Sequence, residues 1–401
     1  MASFSSSRRE TRNIVVLAAL QAILLTVGAT SITLHGLAGA WLSADKALAT
    51  LPVTGWVLGG AATAFGASLL MKRIGRRAGF ACGVAIGVCG LAVCSFALHL
   101  KSFWLFVTGA TLLGVYNAFG QFHRFAAADA ARPELRARAV SYVLAGGLVG
   151  GLAGPQFARS TLDVLSTRFL GSYMSLGVLL LLALPVIGLL DIPKEPEQEL
   201  AAPARPLATI AAQPQFLVAV CAAGVGYGVM NLLMTATPLA MGACGHPFGT
   251  TASVISAHVV AMYLPSFVTG DLIRRFGTLR VMLWGVVLNA GCVWVAVAGV
   301  DVANFWAALV LLGVAWNFLY VGATTLLTET YHPAEKAKAQ GANDMFIYLM
   351  MAVSSFLSGA VLERGGWSAL NLSALPFLAG TGAVVWLLER RQRRSRSVAA
   401  V

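Results

Sequence analysis

Apolar stretches recur along nearly the whole chain, and short polar or basic breaks close each of them. Each stretch runs about 20 to 25 residues, which as a helix crosses roughly 30 Å of hydrocarbon. Twelve spans are predicted, near residues 14–36, 49–71, 78–98, 103–124, 139–161, 171–190, 215–238, 251–273, 280–299, 303–327, 339–361 and 369–388. Arg8, Arg9 and Arg12 precede the first of them, as in a secretory leader. That run is as long as a full span, and no clear small-residue cleavage site follows at the right distance. It therefore reads as an uncleaved helix.

The longest polar break is central, over 191–214, with Glu195, Glu197 and Glu199 among Pro193, Pro196, Pro203 and Pro206. This predicts a flexible linker between a six-helix half at 1–190 and a second at 215–401, which ends in a basic tail. A repeat supports the halves. Lys72-Arg73-Ile74-Gly75-Arg76-Arg77 follows the second span and Arg274-Arg275-Phe276-Gly277-Thr278-Leu279-Arg280 the eighth, with the glycines 277 − 75 = 202 residues apart.

Composition agrees with lipid as the solvent: 58% of the 401 residues are hydrophobic and 11% charged, against about 25% charged in a soluble domain. The net charge of +12 does not imply nucleic acid, because the basic residues sit in short clusters between apolar runs. With the N-terminus inside, only Lys46, Lys101, Arg159, Arg168 and Arg364 fall on or near the outer side, 5 of the 28 Lys and Arg. The positive-inside rule then places both termini in the cytoplasm. No nucleophile–base set, phosphate loop or metalloprotease motif appears, so an enzyme is not expected. Five of the six cysteines lie in apolar runs, and no disulfide framework or zinc spacing can be read.

The basic, glycine-turned repeat resembles the signature between helices 2 and 3 of the major facilitator superfamily, although Met71 stands where an acidic residue is expected. The run Gly146-Gly147-Leu148-Val149-Gly150-Gly151-Leu152-Ala153-Gly154-Pro155 is similar to that superfamily as well. The resemblance implies an all-α membrane protein of the major facilitator fold, twelve transmembrane helices in two six-helix halves. It also implies a monomer in a bacterial inner membrane.

Candidate chemistry lies in the seventh and eighth spans. Met230 and Met234, and likewise His258 and Met262, are four residues apart, so each pair shares one helix face. Thioethers and imidazole suit Cu(I) better than hard cations, and an ionisable residue inside a membrane is a functional candidate by default. Packing is the competing account of each methionine. The paired pattern resembles the CcoA-type copper importers, a branch of the same superfamily that supplies copper for cytochrome oxidase assembly. The resemblance implies Met230, Met234, His258 and Met262 as metal ligands on an alternating-access path. Cys244 and His246 would form an outer docking point, with His35 a further accessory. Copper is then the cargo rather than a prosthetic group, and a cytoplasmic acceptor is implied but not identified. The alternatives are an organic-solute importer, such as a riboflavin carrier, or a drug-type exporter. For the first, Asn117, Gln121, Trp316, Asn317 and Tyr320 could hydrogen-bond and stack on a flat ring. For the second, no carboxylate occupies the middle of a span: Asp271, Glu329 and Asp344 all lie near predicted cytoplasmic ends.

Overall fold

The computed structural model describes residues 2–44, 48, 51–162, 164–192 and 203–399. Lys46 and most of the central linker's predicted acidic and proline residues lie outside them. Among the described residues the regular structure is helical: α1 (Ala2–Leu42), α2 (Leu51–Ile74), α3 (Arg76–Leu100), α4 (Phe103–Gly120), α5 (His123–Ala130), α6 (Arg136–Thr161), α7 (Leu170–Leu181), α8 (Ala183–Gly188), α9 (Leu207–Ala211), α10 (Pro214–Ala243), α11 (Phe248–Tyr263), α12 (Ser266–Phe276), α13 (Thr278–Ala298), α14 (Val302–Leu327), α15 (Lys336–Leu372) and α16 (Leu375–Ala399).

Ten stretches are long and apolar enough to cross a membrane, and α11 with α12 forms an eleventh, bent by 40°. One of the ten, Pro333–Arg394, holds both α15 and α16. It therefore covers two predicted spans, which accounts for twelve. The repeated glycines do the same work in both places. Gly75 has φ 86° between α2 and α3, and Gly277 has φ 92° between α12 and α13. Both lie in the left-handed region, which a side chain rarely enters.

The chain forms two compact units, one of residues 1–132, 142–197 and 340–345, the other of 133–141, 198–339 and 346–401. In the first unit the glycine run of α6 meets α1 backbone to backbone. A Cβ on Gly146 would lie 2.2 Å from the Ala18 carbonyl oxygen, and one on Gly150 would lie 2.4 Å from that of Ala22. Gly146→Ala is expected to lower stability by about 1–3 kcal/mol through forced separation of the helices. Gly177→Ala, where nothing lies within 4 Å, should be neutral or slightly stabilising. Thermal unfolding of the two purified variants checks the contrast.

Polar contacts fasten the ends of the first unit's helices. Asn13 donates to the Asp191 carbonyl at 2.8 Å, and the Asp191 amide donates back to the Asn13 Oδ1 at 2.9 Å. Arg9 and Arg12 pair with the Asp191 carboxylate. The hydrogen bond from Arg9, with both positive charges beside it, holds that carboxyl below its ordinary range. Its folded pKa is depressed, so the clasp is intact near neutrality and weakens as pH falls. In the second unit Arg205 clasps Glu335 through two nitrogens, each 2.6 Å from a carboxylate oxygen.

Candidate substrate site

In the second unit, Trp316 and Tyr320 are four residues apart on α14, one turn of the same face. Their rings stack at 4.8 Å with an interplanar angle of 21°. Tyr227 of α10 meets both edge-on, at 5.4 and 5.3 Å. Tyr263, the last residue of α11, meets Trp316 edge-on at 5.7 Å. Three helices thus supply one aromatic group. Trp316 is buried, and its indole N–H finds no hydrogen-bond partner. Tyr320 and Tyr263 are buried too, so in this conformation the rings pack on one another; the group assembles flat, polarisable rings and one unspent donor rather than an open surface.

The helices take these positions for local reasons. Gly313 lets α11 approach α14, since a Cβ there would come within 2.7 Å of the His258 carbonyl oxygen. Gly226 does similar work for α10, where a Cβ would meet Leu319 of α14 at 3.2 Å. Asn231 of α10 donates to the Met351 carbonyl at 3.1 Å and to the Ser354 hydroxyl at 3.0 Å, tying α10 to α15.

Asn317, expected at the solute, is spent elsewhere. Its amide nitrogen donates to the Met262 carbonyl at 2.7 Å and to the Ser266 hydroxyl at 2.5 Å, and its oxygen accepts from Thr269 at 2.7 Å. Gln121 is likewise engaged within the first unit, where Arg124 donates to its carbonyl and to its side chain. Asn117 is buried in the same unit. Of the five residues proposed for a ring, only Trp316 and Tyr320 stand together as an aromatic surface.

The metal candidates scatter more. His258 is wholly buried, its Nδ1 2.8 Å from the Leu309 carbonyl of α14, while its Nε2 has no partner. The carbonyl makes Nδ1 the donor and leaves Nε2 with the lone pair. Met230 and Met262 are buried and Met234 is half-buried. The polar contacts of α11 at His258 and Met262 run to α14, whereas Asn231, between Met230 and Met234, faces α15. Cys244 is exposed beyond the end of α10. His246 turns to the Val300 carbonyl at 2.7 Å and the Phe305 ring at 5.8 Å. His35 lies in the first unit, wholly buried between Phe106 at 5.8 Å and Tyr173 at 6.1 Å. Among the described residues no three His, Cys, Asp or Glu side chains group as a metal site, so bound copper would depend on the thioethers.

Sequence reasoning missed one charged pair. Arg124, at the predicted end of the fourth span, and Asp344, near a predicted cytoplasmic helix end, pair inside the first unit with 1% and 2% of their side chains exposed. Asn343 donates to the same Asp344 oxygen at 2.8 Å, and the Phe125 ring lies 4.5 Å under the guanidinium. Arg76, in the first glycine turn, pairs with Asp129 at 3.2 Å. A second repeat, which does not itself reveal the pair, relates Arg132-Pro133-Glu134-Leu135-Arg136-Ala137-Arg138-Ala139 to His332-Pro333-Ala334-Glu335-Lys336-Ala337-Lys338-Ala339. Each copy forms a short 3₁₀ turn leading into a helix, α6 or α15.

Repeated helices long and apolar enough to cross a membrane define a multi-pass membrane protein. The chain belongs to the Major Facilitator Superfamily, whose family model matches residues 13–247 and 218–400. It is 40% identical to the riboflavin transporter RfnT of Brucella anthropi over 371 residues, 92% of this chain and 93% of that one. It is 30% identical to the uncharacterized transporter YddS of Bacillus subtilis, over 89% of this chain and 87% of the other. Among solved structures, FucP in the outward conformation aligns with a TM-score of 0.75 at 15% identity, covering 94% of this chain and 97% of its own. A bacterial homologue of the iron transporter ferroportin gives the same TM-score at 12% identity, covering 95% and 99%. At such identities these structures speak for the fold alone.

Proposed function

We propose that the chain imports an organic solute with a planar ring, of which riboflavin is the leading instance, by alternating access. The observation that carries this reading is the 40% identity to a riboflavin transporter over nearly the full length of both chains. The Tyr227–Trp316–Tyr320–Tyr263 group supports it as a set of rings on which a planar solute would stack once the helices part during transport. The resemblance to copper importers gains no support from these relatives, and copper becomes the subordinate reading. The basic ends at Lys72–Arg77 and Arg274–Arg280 support a bacterial inner-membrane protein with both termini cytoplasmic.

Growth of a riboflavin auxotroph on low external riboflavin tests the proposal. Expression of the chain should restore growth, and cellular copper should not change. Restored copper accumulation without vitamin-dependent growth would reverse the order of the two readings and return Met230, Met234, His258 and Met262 to the centre.

A further inference from the structure

One predicted span, 251–273, is built as two helices that both touch α14, and the second of them has a further partner of its own. The first, α11, lies on α14 through the His258–Leu309 contact and the close approach at Gly313. The second, α12, lies on the stretch 133–141 of the same unit. Arg138 pairs with Asp271, and a Cβ on Gly270 would fall 2.6 Å from the Arg138 Cα. The Ser141 hydroxyl donates to the Ser266 carbonyl and accepts the Gly270 amide at 3.1 Å. Ser266 and Gly270 are helical i, i+4 partners, so a side chain from outside enters the ladder of α12, a recognised cause of bending. At the break itself Pro265 has no N–H, and the Ala261 carbonyl loses its helical donor.

Asn317 is the residue that bridges this break. Its amide reaches the Met262 carbonyl on one side, and Ser266 and Thr269 on the other. Both amide hydrogens are spent there, and the group is fully buried. Its sequence neighbour is Trp316, on which Tyr263, the residue at the break, rests. Where backbone is interrupted at membrane depth, a neighbouring side chain has to satisfy it.

We propose that Asn317 is a positioning residue: it latches the bend between α11 and α12, keeping Tyr263 on Trp316 while α12 stays on Arg138 and Ser141. A solute seated on the aromatic group would then be felt by α12 through a hinge at Leu264–Pro265. What sits on Trp316 rests on the organic-solute reading; the latch does not.

The test is hydrogen exchange on the full-length purified chain, beside riboflavin uptake by the same variants. Asn317→Leu should speed exchange across 264–270 at least tenfold and leave 282–295 of α13 unchanged. It should raise the riboflavin KM about tenfold with Vmax nearly constant, and Asn317→Ser, which keeps one donor, should recover part of both. If Asn317→Leu does not fold, Ser266→Ala and Thr269→Val each remove one bond to Asn317 and should show the same exchange pattern more weakly. Unchanged exchange at 264–270 in the variants that fold would overturn the latch. Faster exchange with unchanged KM would overturn its positioning role. If wild type takes up no riboflavin while exchange rises as expected, the latch stands and only the solute reading falls.

Discussion

Asp344→Ala is expected to cost the folded protein about 3–5 kcal/mol, the range for breaking a buried ion pair from one side. Arg124 would keep its charge with 1% of its side chain exposed, and an arginine cannot shed its proton to escape. The Gln121 contacts and the Phe125 face hold the guanidinium in place, so little relaxation is open to it. Asp344→Asn should cost less, since an amide oxygen still accepts from Arg124 and from Asn343. Removing both charges, as Arg124→Met with Asp344→Leu, should recover most of the loss, because apolar groups of similar volume often replace a buried pair without penalty. The measurement is the thermal midpoint of each variant in detergent, followed by monodispersity on size exclusion. A single variant as stable as wild type would mean that water reaches this pair.

Trp316→Ala carries the second large effect, and it is functional. The indole stacks on Tyr320 and receives the edges of Tyr227 and Tyr263. Its loss removes one wall for a planar ring, worth roughly 2 kcal/mol of contact and stacking, or about a thirty-fold rise in riboflavin KM. Trp316→Phe keeps a ring but loses the unpartnered indole N–H; its KM should fall between the two. His258→Ala serves as the contrast. It should leave the KM within a few-fold of wild type on the organic-solute reading, and abolish copper accumulation on the other.

The period and length of the apolar runs carried the fold, because in lipid every backbone group must be satisfied within a helix and hydropathy marks each crossing. The turns at Gly75 and Gly277 are equally legible, since a basic cluster marks a break between two apolar runs and glycine is the residue that readily enters the positive φ found there. What stayed hidden depends on facing. Hydropathy cannot tell that Asn317 points to the helix carrying Met262 rather than to a solute, nor that Arg124 turns inward to a carboxylate 220 residues away. The apolar pattern predicts one helix over 251–273, because a proline eight residues from its end leaves the mean hydropathy nearly untouched. Side chains from elsewhere, Ser141 and Asn317, stabilise the bend. Spacing put Met230 with Met234 and His258 with Met262 on shared faces. It could not say which neighbour each face meets, and His258 meets the Leu309 carbonyl.

Purified chain reconstituted into liposomes and supplied with radiolabelled riboflavin decides whether a flat-ring solute is the cargo. Uptake is expected to be saturable, competed by unlabelled riboflavin and by other flat-ring analogues, unaffected by Cu(I) chelation, and weakened by Trp316→Ala. Absence of riboflavin uptake by folded wild-type protein, with copper accumulating in the same vesicles and lost in His258→Ala, would contradict the organic-solute reading.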